Sequence, residues 1–591
     1  MTELEIRGKR QDKSDGFASG VLVLTLSAVI VKIIGLIYKI PMLTLLGSEG
    51  MGYFNSAYEI YTLFGVVSTA GLPVAMSVLI ARARCGGELS EKKIFSVAMT
   101  LFLSLGVVGS LLMLGLAPAF SSALGSDRAV FCMIAISPTV FFICLSSVYR
   151  GFFQGLGRMR ETAISQVIEA ALKLILGLVF AYIALRCGYS APKVAACAVL
   201  GLVAGSAASA LYLALSKRAH GRSLNGVKSC GAYCGCEKGG CADTRGADGR
   251  CPKDECADTR GAVGRCPKNE CTDTRGIEKK SAQGRRRICR ELLTIAIPIT
   301  LSSAVISITK IIDMTVILRR MQDIGYQSAE AFSAYGSYTT LALPLFSLAP
   351  ALISSVALPL VPALASAVAR GDKDEQVAVV GDAVRLTMII SMPISLGLSL
   401  FSREILSLIF AGQESAVALS APLLSILALS VPLACFITVE SAILQAYSRA
   451  GLPIISMLAG SAIKLLTAYF LVGDPDICIV GAPISTFFCD LVINAINWVF
   501  IGRLLPRGLD FGAIAKPFFA AFMSVGVSRL AFAALAARFG SSGVMTLGAV
   551  ALSALIYLPL SFFVGAVRRE DIARMPIINK IFPRKLENKI T

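Results

Sequence analysis

Long apolar runs are the feature that most constrains this chain of 591 residues. The sequence repeatedly continues for about 20 residues or more with few or no charges, which is the length that a helix needs to cross a hydrocarbon core of about 30 Å. Charged residues make up only 16% of the chain, whereas a soluble domain holds about 25%. Because lipid offers the backbone no hydrogen-bond partners, each run must form a helix. The sequence therefore predicts an all-α, polytopic membrane protein.

The apolar runs predict fourteen transmembrane helices. Their approximate limits are 17–46, 57–81, 94–120, 129–152, 162–185, 194–216, 292–318, 334–364, 381–402, 418–446, 452–473, 478–502, 514–536 and 543–566. The ninth is the hardest to delimit, because Arg403 and Glu404 interrupt its apolar run. If both termini are cytoplasmic, the inside segments hold 40 of the 56 Lys and Arg residues and the outside loops hold 7. This asymmetry is typical of cytoplasmic loops and favours that orientation.

The two halves of the chain resemble each other. The matching groups, in the same order in both halves, are 31–34 with 309–312; Tyr58, Tyr61, Pro73 and Ser77 with Tyr335, Tyr338, Pro350 and Ser354; and Gln154, Arg158 and Lys173 with Gln445, Arg449 and Lys464. This indicates a parallel repeat of six helices plus six, and such lobes commonly rock around a central site. The predicted domains are an N-terminal six-helix lobe (1–216), a cytoplasmic loop (217–290), a C-terminal six-helix lobe (291–512), two further helices (513–566) and a basic cytoplasmic tail (567–591).

Charged residues inside the predicted spans are candidate functional groups, since each costs about 2.5–3.5 kcal/mol at the centre of a bilayer. The candidate substrate-binding cations are Lys32, Lys310, Lys39, Lys173 and Lys464, and the candidate coupling or pairing carboxylates are Glu59, Glu169, Asp313 and Asp490. Lys32 and Lys310 are related by the repeat and lie several turns from either helix end. We expect them to line a water-filled cavity. Two cations facing one cavity favour an anionic substrate, because little bulk water weakens the attraction.

Simpler roles are open for other charged residues. Glu169 and Lys173 are four residues apart on one helix and are spaced to form a structural salt bridge. Lys39 and Glu440 lie near helix ends, where a long side chain reaches the headgroups by snorkelling. Snorkelling is the role that we expect for Glu440.

The predicted loop at 217–290 is polar and holds 9 of the 17 cysteines. Its units of fifteen residues repeat the pattern Cys-(Ala/Thr)-Asp-Thr-Arg-Gly, which is typical of a disordered, low-complexity insertion. The pairs Cys251/Cys256 and Cys266/Cys271 have a spacing that zinc sites also use, so metal binding is an alternative. We expect reduced thiols in the cytoplasm, no metal and no cofactor. The single His and the lack of a nucleophile–base constellation argue against an enzyme.

Four motifs resemble those of a known family. Residues 32–41 are KIIGLIYKIP, 46–53 are LGSEGMGY, 68–73 are STAGLP and 149–155 are YRGFFQG. With the count of six, six and two helices, the chain resembles the oligosaccharide flippases of the MOP exporter superfamily, in the stage V sporulation protein B-like branch related to MurJ lipid II flippases. The resemblance covers nearly all of the chain outside 217–290.

The resemblance implies two lobes arranged as a V around a cationic cavity that receives the sugar–pyrophosphate head of a polyprenyl-linked precursor. It implies that Lys32 occupies a basic position of the first helix, that Lys39 lies close to a second, and that the last two helices form a groove for the lipid tail. We therefore expect a monomeric flippase in the bacterial cell membrane. Its partners would be the polyprenyl-linked saccharide and membrane lipids, not nucleic acid, with a coupling cation of unknown identity.

Two other functions remain open on the sequence. The first is a multidrug and toxin extrusion antiporter, in which Asp313, Glu59 or Asp490 would bind a cation or proton. The absence of a carboxylate from the first helix argues against it. The second is a membrane scaffold that binds partners through the cysteine-rich loop. Deleting 225–285 would separate these classes, because a transporter should tolerate the deletion and a scaffold should not.

Overall fold

The computed structural model describes residues 3–84, 91–233, 274–449, 451–505, 512–539 and 542–566, and their regular structure is helical throughout. The N-lobe comprises α1 (Glu3–Thr69), α2 (Gly71–Arg84), α3 (Glu91–Ala123), α4 (Val130–Ile136), α5 (Pro138–Gly155), α6 (Met159–Arg186) and α7 (Ala191–Tyr233). The C-lobe comprises α8 (Thr274–Asp323), α9 (Ser328–Ser337), α10 (Leu343–Arg370), α11 (Lys373–Leu400), α12 (Ser402–Ile409), α13 (Glu414–Ala428), α14 (Val431–Ala446), α15 (Leu452–Val472) and α16 (Gly481–Gly502). Helices α17 (Gly512–Phe539) and α18 (Gly543–Phe563) follow. A π-helical turn, Tyr338–Ala342, joins α9 to α10.

Helix α1 contains two membrane spans, because the chain reverses direction at Gly47. Gly47 has φ 66° and ψ 176°, a conformation that residues with a side chain rarely adopt. The rings of Tyr38 and Phe54 lie 6.1 Å apart, although sixteen residues of straight helix would separate their Cα atoms by about 24 Å. The reversal therefore joins the first two predicted spans. We call this end of the molecule the Gly47 face.

The number of spans agrees with the prediction from the sequence. Within the described residues, twelve helical segments are long and apolar enough to cross a membrane, and a thirteenth arises when α13 and α14, bent by 47°, count as one span. One of the twelve, Ile34–Ala83, holds the spans on both sides of Gly47, which brings the number to fourteen. The chain is a multi-pass membrane protein.

The charged interruption after the ninth span forms a helix of its own. Helix α12 begins directly after α11 and carries Arg403 and Glu404 in its first turn. Arg529 of α17 donates to Glu404 at 2.6 Å. Tyr557 of α18 donates its hydroxyl to the carbonyl oxygen of Ile389 in α11 at 2.8 Å. These two bonds hold α17 and α18 against the C-lobe.

Most of the cysteine-rich insertion lies in 234–273, outside the described residues. Helix α7 continues to Tyr233 and α8 begins at Thr274, so both extend into the predicted loop. The eight cysteines whose side chains the structure describes are free thiols. Among the described residues, no group of three His, Cys, Asp or Glu side chains is arranged to hold a metal ion.

A largely buried ion pair binds three helices of the N-lobe together. Arg150 of α5 donates to the carboxylate of Glu169 in α6 at 2.7 Å. Its guanidinium also donates to Ser165 of α6 at 3.1 Å and to Ser209 of α7 at 3.0 Å. Hydrogen bonds to neutral partners offset the cost of removing such a pair from water.

The two lobes meet along a close-packed seam on the Gly47 face. A Cβ atom at Gly52 of α1 would overlap the carbonyl oxygen of Phe332 in α9, and a Cβ atom at Gly336 would overlap that of Ser48. The ring of Tyr53 stacks on the ring of Phe332 with centroids 4.5 Å apart. The two glycines are needed here because they let the backbones of α1 and α9 touch.

Helix α8 extends the contact between the lobes in both directions. Near the Gly47 face, Arg319 donates from Nε to the carbonyl oxygen of Ala123 in α3 at 2.7 Å. Toward the opposite face, α2 packs on α8, where the absence of a side chain at Gly71 leaves room for the carbonyl group of Ala296. The lobes therefore touch at both ends of α8.

Replacing Gly52 by alanine is expected to loosen the seam. The added methyl group would overlap the Phe332 carbonyl group, and overpacking of this kind costs about 1–3 kcal/mol. Gly115→Ala in α3 is the matched control, because a Cβ atom there meets nothing within 4 Å and alanine favours a helix by up to about 1 kcal/mol. Thermal unfolding in detergent should move to lower temperature for Gly52→Ala and should not fall for Gly115→Ala. Equal unfolding temperatures would contradict a close-packed seam.

Candidate substrate site between the lobes

Two side chains of α1 cross the seam to the π-helical turn of the C-lobe. Lys39 donates from Nζ to the carbonyl oxygen of Thr339 at 2.7 Å. Asn55 is buried and donates from Nδ2 to the hydroxyl oxygens of Thr339 and Thr340, both at 2.9 Å. A π-helical turn distorts the hydrogen-bond ladder and is frequent at functional sites. Lys39 therefore does not snorkel to the headgroups but holds the two lobes together.

Lys173 of α6 faces aromatic rings. Its Nζ lies 4.7 Å from the ring centroid of Tyr58 and 5.8 Å from that of Tyr38. The Glu169–Lys173 salt bridge that the sequence left open does not form, and Arg150 binds Glu169 instead. The planar guanidinium of Arg150 reaches serines on two helices as well, which the single ammonium of a lysine does less well.

No described carboxylate lies within salt-bridge range of Lys39 or of Lys173. Within the parts of the chain that the structure describes, neither ammonium forms a salt bridge, which would need a carboxylate oxygen within 4.0 Å. The two ammonium groups act on each other electrostatically, and the half-buried carboxylate of Glu59 acts on Lys39 at longer range. An anion bound between the two lysines would relieve their repulsion.

The corresponding lysine of the C-lobe is neutralised. Lys464 of α15 forms a salt bridge with Asp313 of α8 at 2.8 Å, and both side chains are largely buried. Asp490 of α16 is also buried, and Lys464 is its charged neighbour. One carboxylate oxygen of Asp490 has no hydrogen-bond partner among the described residues.

The repeat places equivalent side chains on the two sides of the seam. Lys173 and Lys464 are equivalent in the repeat. Lys173 lies against Tyr58 and Lys464 acts electrostatically on Tyr338, although the repeat pairs Tyr58 with Tyr335 and Tyr61 with Tyr338. The two sides differ in charge, because only the C-lobe supplies a carboxylate to its lysine. Of these two lysines, the one without a described carboxylate in salt-bridge range is therefore Lys173 of the N-lobe.

Lys310 is exposed on the side of α8 that faces away from the lipid. It lies seven residues before the buried Ile317, which is two helical turns and therefore the same face. Leu301, which is 64% exposed, lies nine residues before Lys310 and therefore on the opposite face. The role of Lys310 in a water-filled cavity stays a prediction. Lys32 lies in α1, but its side chain is outside the described residues.

Glu440 lies in the interior of the C-lobe. It is fully buried between α14 and α16, where Asn497 donates from Nδ2 to its carboxylate at 2.9 Å. The expectation that Glu440 snorkels to the headgroups is therefore wrong. Asn497 on the neighbouring helix supplies the hydrogen bond that stabilises this buried carboxylate.

Sequence reasoning missed the uncharged members of the site. Asn55 is the sole asparagine in residues 1–84, and a strongly polar amide inside an apolar run is a signal that could have identified it. Thr339 and Thr340 carry no comparable signal, because threonine is common in membrane helices and bonds its own backbone. Arg150 was part of a family motif, but its pairing with Glu169 depends on how α5 packs against α6.

Two family models match the chain. The model described as "Polysaccharide biosynthesis protein" matches residues 17–229, and the model described as "MatE" matches residues 298–470. The first match covers most of the N-lobe, and the second covers much of the C-lobe.

Two curated relatives come from Bacillus subtilis (strain 168). The chain is 24% identical over 584 residues to "Stage V sporulation protein B", which covers 96% of this chain and 99% of the relative. It is 31% identical over 166 residues to "Lipid II flippase MurJ", which covers 26% of this chain and 30% of the relative. Similarity to the first relative therefore extends over nearly the full length of both chains.

Solved structures share the fold. "Lipid II flippase MurJ, inward closed conformation" has a TM-score of 0.62 at 15% identity and covers 93% of this chain and 100% of that chain. An inward-facing multidrug resistance MATE family transporter of the MOP superfamily has a TM-score of 0.57 at 16% identity, with 82% and 97% covered. The two family matches, the relative that is similar over nearly its full length and the shared fold together make the chain similar to flippases and transporters of the MOP superfamily.

Proposed function

We propose that the protein moves a polyprenyl-diphosphate-linked saccharide from the inner to the outer leaflet of the bacterial cell membrane. The observation that carries this proposal is a pair of ammonium groups without a carboxylate in salt-bridge range: Lys39, which lies at the seam, and Lys173, which lies beside α1 in the N-lobe. A diphosphate bound there would be attracted strongly, because charges interact more strongly where water is excluded. The polysaccharide family match and the relative named as a lipid II flippase support this class of substrate.

Substrate binding and closure of the seam compete for one side chain, Lys39. Lys39 now bonds a neutral carbonyl oxygen of Thr339, and a bond from an ammonium to a charged phosphate oxygen is roughly twice as strong. A bound diphosphate therefore draws Lys39 away from Thr339. Asn55 then remains as the hydrogen-bond donor from α1 to the π-helical turn. The loss weakens the closed seam, and the lobes open on the Gly47 face in response to the ligand.

The orientation follows from the positive-inside pattern. With both termini cytoplasmic, the Gly47 face is the outer face, and the substrate head enters from the inner leaflet past Lys310 and Lys32. Helices α17 and α18 would accommodate the polyprenyl tail, and the transporter acts as a monomer. After release, the empty cationic site returns under the membrane potential, which is worth about 2.3 kcal/mol per charge at 100 mV.

A cation antiporter is the second candidate, and one carboxylate favours it. Asp490 is buried and keeps one carboxylate oxygen without a partner, a group that could bind a proton or a cation. The MatE family match in the C-lobe also supports this function. Asp313 is less suited to it, because Lys464 already neutralises its charge.

Expression of the protein is expected to restore growth to bacteria whose only lipid II flippase is switched off. Membrane insertion is checked by immunoblotting of the membrane fraction, and an inserted but unrelated transporter serves as the negative control. Lysis of cells that contain the inserted protein would contradict lipid II as the substrate. The substrate would then be another polyprenyl-linked glycan, or the function would be that of the antiporter.

The variants Lys39→Gln and Lys173→Gln are each expected to weaken binding of undecaprenyl diphosphate in nanodiscs by about tenfold or more, which corresponds to about 1.4 kcal/mol. Glutamine keeps a hydrogen-bond donor of similar length but removes the charge. Lys193→Gln is the matched control, because Lys193 is exposed on the Gly47 face away from the site.

A cationic dye, ethidium, distinguishes the two candidate functions in the same nanodiscs. A flippase should bind the diphosphate in a manner that depends on both lysines and should show no dye binding that depends on Asp490. If both lysine variants bind the diphosphate as the wild type does, while Asp490→Asn abolishes dye binding, the antiporter is the better assignment.

A further inference from the structure

A cavity of about 780 Å³ opens on the Gly47 face between α12, α13 and α18. Its walls include Arg403, Glu404, Glu414, Ser542 and Thr546. None of these residues belongs to the seam or to the substrate site described above. The transport cycle proposed for the protein makes no use of this cavity.

Opposite charges line the cavity without pairing with each other. Glu404 is held by Arg529 at 2.6 Å, and the guanidinium of Arg529 also lies 5.2 Å from the ring centroid of Phe401. The side chains of Arg403 and Glu414 are exposed and form no ion pair or hydrogen bond within the described residues. One wall thus presents an unpaired guanidinium and another an unpaired carboxylate.

Lipid-facing surface adjoins the same cavity. Val544 and Leu547 of α18 are 80% and 57% exposed, and Leu408 of α12, which lines the cavity, is 37% exposed. Exposed aliphatic residues in the first turns of a membrane span contact acyl chains close to the headgroups. The cavity therefore lies at the depth of the lipid headgroups, with room for acyl chains beside α18.

We propose that this cavity binds the headgroup of a zwitterionic aminophospholipid of the phosphatidylethanolamine type. The guanidinium of Arg403 binds the phosphate, for which its planar donors are suited, and the carboxylate of Glu414 binds the ammonium group. A lipid without net charge matches this cavity, because Arg529 of α17 neutralises Glu404 and the two charges that remain on the walls, Arg403 and Glu414, are opposite. A phosphatidylglycerol headgroup would satisfy Arg403 but would leave Glu414 without a cation. The bound lipid would bridge α12 and α13 to α18.

Native mass spectrometry tests this proposal on the full-length protein. The delipidated protein is incubated in detergent with an equimolar mixture of phosphatidylethanolamine and phosphatidylglycerol, and the retained lipids are counted. We expect the wild type to retain phosphatidylethanolamine about fivefold more than phosphatidylglycerol, the ratio that one exposed ion pair supplies. Glu414→Gln should remove the preference, and Arg403→Gln should lower retention of both lipids.

Two variants on the same face serve as matched controls. Asp476→Asn and Arg538→Gln remove exposed charges that do not line the cavity, and both should keep the wild-type preference. Equal retention of the two lipids by the wild type, or an unchanged preference in Glu414→Gln, would overturn the proposal. The readout is lipid retention and not transport, so its outcome is independent of the proposed flippase activity.

Discussion

A hydrogen bond from a charged donor to a neutral acceptor holds the two lobes together at the centre of this protein. Lys39 reaches across the seam to the carbonyl oxygen of Thr339. The carbonyl group accepts one of the three hydrogens of the ammonium group but cannot neutralise its charge, and an unneutralised charge away from water is costly. The contact exists because Gly52 and Gly336 let the two backbones approach. Close packing of the lobes thus places the ammonium group of Lys39 where an incoming anion can replace Thr339 as its partner.

The two halves of the repeat have different electrostatic roles. In the C-lobe, Asp313 neutralises the charge of Lys464, so this lysine has a structural role. In the N-lobe, Lys173 rests on the ring of Tyr58 and keeps its charge. A cation–π contact stabilises an ammonium by about 0.5–2 kcal/mol without cancelling its attraction for an anion. One fold can host different functions, because function depends on the side chains at its site.

The sequence predicted most of the fold because lipid imposes simple rules. Apolar runs must be helices of bilayer length, so the fourteen spans were recognisable, and the repeat brought Lys173 and Lys464 to equivalent positions. The pairing of charges was harder to predict. Spacing along one helix shows that Glu169 and Lys173 share a face, but it does not reveal that Arg150 on another helix is closer to Glu169.

Helix packing also determines the roles of Asn55, which is uncharged, and of Glu440, which lies near a helix end. Glu440 lies near a helix end in the sequence, yet the amide of Asn497 on a neighbouring helix makes its burial tolerable. Asn55 acquires its role from the two threonine hydroxyls of the π-helical turn, and a π-helical turn has no signal in a single sequence. Contacts between distant helices thus account for what the pattern of residues left open.

Competition for Lys39 between Thr339 and the substrate is tested most directly by a distance across the Gly47 face. Spin labels on noncanonical amino acids at Tyr189 of the N-lobe and Tyr326 of the C-lobe, which are 51% and 41% exposed, report the separation of the lobes by pulsed electron resonance. If the diphosphate withdraws Lys39 from the seam, saturating undecaprenyl diphosphate should lengthen this distance in nanodiscs. A distance that stays the same at saturation would contradict the coupling of substrate binding to seam opening.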